Sequence, residues 1–149
     1  MIVASTSVPH NGTRFLIRSL LPSAGIEAIH LHCEDENMPK LTELSQEYPL
    51  VIPVRHPREV ALSWKKKGYD IGLMFGLYRN MFSFENPFYF PIDGRERDAH
   101  LNALGEFLGV ELQTDWERVG EDDRPAIPLD AAEEEILSAL FEEHDFSWW

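Results

Sequence analysis

The chain has 149 residues, 44% of them hydrophobic and 26% charged, and a net charge of −13. Those figures describe one globular domain spanning 1–149, long enough for a real core, and no apolar run approaches the roughly 20 residues that cross a bilayer. The acidic balance argues against general binding to nucleic acid or anionic membranes, but it is uneven: residues 1–80 hold nine Lys+Arg against eight Asp+Glu, a net +1, and residues 81–149 hold four against 18, a net −14.

The first predicted element is a strand over about 2–6. It opens the chain with no basic stretch and apolar leader before it, so no secretory signal is expected, and a cytoplasmic location is. A polar turn leads to a helix over about 13–21, where Phe15, Leu16, Ser19 and Leu20 share a face, and Leu21–Gly25 ends it. A second strand covers Ile26 to about His32. The single cysteine, Cys33, excludes an internal disulfide framework, fits a reducing compartment and reads as a small buried residue rather than a nucleophile. Met38-Pro39-Lys40 opens a short helix. The apolar run Leu50–Val54 suits a strand buried on both faces, and a helix from about Pro57 to Lys67 follows, stopped by Gly68.

Residues 70–84 are apolar and aromatic and fit a helix; Phe88–Ile92 reads as a fourth strand, weakened by its Pro91. Leu101, Leu104, Phe107 and Leu108 mark a helix ended by Gly109. Gly120–Pro128 reads as a linker, Asp130 as the cap of a last helix, and Trp148-Trp149 as a pair packed back on the body. The acidic half otherwise reads as solvated helical surface. Alternating strands and helices predict an α/β fold with three layers: a central parallel sheet of about four strands and helices on both faces. Ligands in such folds bind at the C-terminal strand ends, where the two polar turns after the first and third strands lie.

The first turn reads Ser7-Val8-Pro9-His10-Asn11-Gly12-Thr13-Arg14. Gly12 has no Cβ and lets the backbone approach an anion, Thr13 offers a hydroxyl and an N–H, and His10, Asn11 and Arg14 offer side-chain donors. It is not a Walker A loop, since no Lys precedes Lys40, and an ordinary turn capped by Asn11 or Thr13 fits as well. In the second turn Arg55 leaves a buried strand with a fixed charge, Pro57 presets the helix, and Ser63 and Lys65-Lys66-Lys67 follow. Lys66 and Lys67 read as surface lysines with stems laid along the helix. Two such turns suggest a ligand with two separated phosphate-like groups.

Together the segments Pro9-His10-Asn11-Gly12-Thr13-Arg14-Phe15-Leu16 and Arg55-His56-Pro57-Arg58-Glu59-Val60-Ala61-Leu62-Ser63-Trp64 resemble the two motifs of sulfotransferases that use 3′-phosphoadenosine 5′-phosphosulfate (PAPS). A weaker resemblance runs from Phe88 through an acidic turn at Asp93 to Leu112. The resemblance implies a P-loop-like fold and transfer of a sulfuryl group from PAPS to a hydroxyl acceptor, with no metal. It implies that Gly12, Thr13 and Arg14, with Asn11 in the same motif, hold the 5′-phosphosulfate and that Arg55 and Ser63 hold the 3′-phosphate. Phe15 would stand against adenine; core packing is its other reading.

The chain departs from that pattern where His10 replaces the family's first-motif Lys or Arg. His10 as imidazolium, or Arg14, would then supply the catalytic charge. The family's later Gly-rich closing segment has only Arg118, Gly120 and Arg124 as candidates. His30, His32, Glu34 and Asp35 are candidates for a general base, with His32 preferred as nearer the strand end. His30 and His32 share a strand face, yet lack a third metal ligand; His100 and His144 read as helix-surface residues. A non-catalytic nucleotide-binding or interaction module is the alternative, and a nucleotide kinase a third reading disfavoured by the missing Gly-Lys-Ser/Thr.

Overall fold

The computed structural model describes residues 1–92, 96–114, 116 and 125–147. Four strands, β1 (Ile2–Ser7), β2 (Glu27–His32), β3 (Leu50–Val54) and β4 (Phe88–Pro91), form one sheet in the order β2-β1-β3-β4, with every pair parallel. Helix α1 (residues 13–23) joins β1 to β2, α2 (Met38–Glu47) joins β2 to β3, and α3 (Pro57–Lys67) and α4 (Met74–Met81) join β3 to β4. Helices α5 (Arg97–Leu108) and α6 (Ala131–Glu143) follow among the described residues. The expected three-layer α/β arrangement is therefore present.

Alternation along the strands separates two cores. Ala4, Leu50, Ile52 and Val54 point to the face covered by α2, α3, α4 and α6, where Leu41, Trp64, Met74 and Leu137 are buried. Val3, Val51 and Phe90 point to the other face, under α1 and α5, where Leu16, Leu20 and Leu104 are buried. Within α1 a π-helical stretch, Leu16–Leu20, precedes Pro22. Proline there cannot donate to the carbonyl four residues back, and a widened turn accommodates it. The predicted helix over 70–84 is shorter, a 3₁₀ turn at Ile71–Leu73 leading into α4. Asp130 caps α6 with a reciprocal box, its side chain accepting from Glu133 N while Glu133 accepts from Asp130 N.

Pro91 is tolerated because β4 is an edge strand. Pro53 sits in the interior strand β3, and its position shapes the sheet. Pro49 O of the β3 segment accepts from Ala4 N of β1, whereas Val54 O accepts from Ile92 N on the β4 side. Backbone groups alternate sides along a strand, so Pro53 turns its hydrogen-less nitrogen toward β1. The β1–β3 pairing covers Ala4–Leu50 and Ser5–Val51, while β3–β4 runs on to Val54–Pro91. Beyond Val51 the ladder between the two interior strands ends, at their C-terminal side. This is also the point where successive connections leave the sheet in opposite directions, the place where open α/β sheets form a ligand crevice.

The Asp93 turn, the Arg118, Gly120 and Arg124 candidates and Trp148-Trp149 lie outside the described residues.

Candidate functional site

The turns after β1 and β3 meet in that crevice. Asn11 is fully buried, and its Oδ1 accepts from Arg55 N at 3.0 Å. Arg55 N faces β1, where no strand residue remains to receive it, so the Asn11 side chain fills the place of a ladder bond. Arg55 Nη1 returns to His10 O at 3.4 Å, and Trp64 Nε1 of α3 donates to Pro9 O at 2.8 Å. Three bonds thus tie the second turn and its helix to the first. His10 takes a left-handed conformation with φ 70°, unusual for a residue with a Cβ.

Gly12, also left-handed at φ 80°, is subject to a packing constraint that the sequence does not suggest. A Cβ there would lie 1.8 Å from Ile92 Cδ1, so the glycine is needed for packing against Ile92, besides any approach to an anion. Thr13 Oγ1 pairs with Ser7 Oγ at 2.6 Å.

Above the turns lies an open cleft of about 1790 Å³. Pockets for one small ligand run to roughly 300–1,000 Å³, so the cleft is larger than one such ligand needs. His10, Gly12, Thr13, Arg14, Phe15, His32, Arg55 and Ser63 all line it. Asn11, the remaining expected site residue, lies beneath as the clasp. Phe15 is 5% exposed and stacked on Trp116 at 5.5 Å, within the core on the α1 side. The cleft is also lined by Glu34, Asp35, Tyr69, Asp70, Leu73 and Asn80, with Asn80 Nδ2 donating to Asp35 Oδ1 and Cys33 O.

The surroundings hold His10 neutral. Burial, followed by the positive charges of Lys67, Arg14 and Arg55 and by His32, lowers it to about 4, so it is not an imidazolium near pH 7. His30 is lowered to about 4, by burial first; its Nδ1 meets Ser5 Oγ at 3.1 Å, and it lies off the cleft. His32 meets the His30 ring edge-on; burial lowers it, with Glu34 opposing, so it is unprotonated near pH 7, the state a base needs. Cys33 is buried, donates to Leu77 O, and is pushed up to about 12 by burial, which makes it inert. Among the described residues no group of three or more His, Cys, Asp or Glu is placed to hold a metal ion.

Sequence reasoning missed the sorting of the lysines. Lys65 pairs with Glu133 of α6, whereas Lys66 and Lys67 line the cleft, and Lys67 Nζ lies on the His10 ring. The surface-lysine reading of Lys67 is therefore replaced. His144 also departs from its surface reading: it ends α6 and stacks on Phe82 at 4.5 Å. Only the β3–α3 spacing could have pointed to Lys67, because its partner is set by the fold. No protein-family model, curated protein or solved structure matches the chain.

Proposed function

We propose that the protein is a sulfotransferase-like enzyme on a P-loop-like α/β fold, moving a sulfuryl group from PAPS to a hydroxyl acceptor. The observation that carries this reading is the joining of the two turns at the C-terminal ends of β1 and β3, with Arg14, Arg55 and Ser63 lining one cleft. A donor with phosphate groups at both ends of a nucleoside matches two linked cationic turns. Arg55 and Ser63 would bind the 3′-phosphate, and Thr13 and Arg14 the 5′-phosphosulfate. The acceptor would enter from the side of Tyr69 and Leu73, both largely exposed. There His32 would take the acceptor's proton as a new O–S bond forms and the bond from sulfur to the 5′-phosphate oxygen breaks. Alignment and charge would supply most of the rate.

Calorimetric titration with adenosine 3′,5′-bisphosphate, AMP and ATP at one salt concentration tests this. The bisphosphate is expected to bind best, and Arg55→Ala to weaken it roughly tenfold or more while changing AMP less. Equal binding of the three ligands, or equal losses in the variant, would refute the assignment. A second reading, a nucleotide-binding module without transfer activity, is favoured by the neutral state of His10 where the resembled motif has a cation. Bisphosphate binding with no turnover of PAPS across alcohol, phenol and sugar acceptors would select it.

A further inference from the structure

We propose that Lys67 supplies the fixed charge for the 5′-phosphate end of the nucleotide, and that His10 is the neutral platform that positions it. This rests on the nucleotide reading above. Lys67 Nζ lies 2.9 Å from His10 Nδ1 and 3.4 Å from Nε2. A bond along one nitrogen's lone pair would leave the other nitrogen much farther away, so near-equal approach puts the ammonium over the ring. A cation is stable over an aromatic face only if the ring is itself uncharged.

The helix explains why Lys67 is delivered here. Residues two apart on an α-helix are about 200° apart around its axis. Lys65 thus turns toward α6, and Lys67, the last residue of α3, turns toward the cleft. Trp64, one turn earlier, is bonded to Pro9 O, which fixes that end of α3 against the first turn. Tyr69, just past the Gly68 stop, lies against the His10 ring at 5.5 Å between centroids. Arg55 Nη1 donates to the His10 carbonyl and so holds the backbone that carries the ring. The charged and titratable groups acting on His10 are Lys67, Arg14, His32 and Arg55. A motif that carries His10 where the resembled one has a cation is in this way given a second cation, beside Arg14, from the helix that follows the second turn.

The test compares wild type, Lys67→Met and Lys67→Arg with two probes, adenosine 3′,5′-bisphosphate and adenosine 3′-monophosphate. Loss of one charged contact to phosphate is worth roughly ten- to a hundredfold. Lys67→Met is expected to lose that much affinity for the bisphosphate and none for the 3′-monophosphate, with Lys67→Arg restoring most of it. Equal losses for both probes, or no loss for either, would overturn the proposal. A wild type that binds bisphosphate no better than AMP would instead overturn the nucleotide reading itself. The platform has its own ligand-free readout in the NMR titration of His10. Its midpoint is expected to rise in Lys67→Met; an unchanged midpoint would show that the ammonium is not on the ring.

Discussion

Asn11 shows how a residue can look like a ligand donor and serve as masonry. From sequence its amide is one of several donors in a polar turn. In the fold it is buried and replaces the strand partner that Arg55 N has lost. Asn11→Ala would leave that N–H without its acceptor and is expected to cost about 1–3 kcal/mol, read from urea unfolding. Because Arg55 is positioned through the same bond, the variant should also weaken bisphosphate binding. Full stability in Asn11→Ala would show that the clasp contributes nothing. Gly12 carries a related lesson: its need to be glycine was legible, but the packing reason for it was not, because Ile92 arrives from 80 residues along the chain.

At the scale of elements, α6 gives the acidic half a task beyond solvation. Glu134 takes Arg58 bidentately at 2.8 and 2.9 Å, Glu133 takes Lys65, and Glu143 takes Arg79 at 2.9 Å. Leu137 and Leu140 are buried between these glutamates, on the same side of the helix. Arg58 and Glu134 are each 45% exposed, so such pairs are weak singly and screened by salt. High salt is expected to speed amide exchange in α6 while the sheet stays protected. The carboxyls of Asp130, Glu134 and Glu143 are held below their ordinary values, Asp130 by the Glu133 backbone N–H and the others by arginine. Their contribution is therefore present above the ordinary carboxylate range and is lost as pH falls through their lowered values, so acid should act on α6 as salt does. Uniform loss of protection across helix and sheet would contradict this.

For the whole molecule, the buried histidines set the acid limit. His10 and His30 are both lowered to about 4 from an ordinary 6.5, and burial is the leading cause. The unfolded chain thus binds protons between those values that the folded chain refuses, and stability must fall as pH drops from 6.5 toward 4. Urea midpoints at pH 7, 5.5 and 4.5 should decline in that order, and His30→Gln should flatten the decline; a flat wild-type profile would refute the assignment. The layered fold was legible because strand runs such as Leu50–Val54 and stripes such as Leu101–Leu104–Leu108 answer to local periodicity. Part of the candidate site was legible too: Arg55 from its place at a buried strand's end, and Ser63 from the resemblance its segment carries. What joins its parts was not, since Asn11 to Arg55 and His10 to Lys67 are contacts between residues 44 and 57 positions apart.

One feature of the sheet bears on timing. Pro53 ends the ladder between β1 and β3 before their C-terminal ends, and Asn11 bonds Arg55 N across the two turns. On the proposed reading, an anion would have no ladder hydrogen bond to break before it could sit between the turns. Its capture would then be governed by encounter and loss of water, and the cations lining the cleft would speed encounter. The proline would give up a length of ladder so that entry needs no opening step.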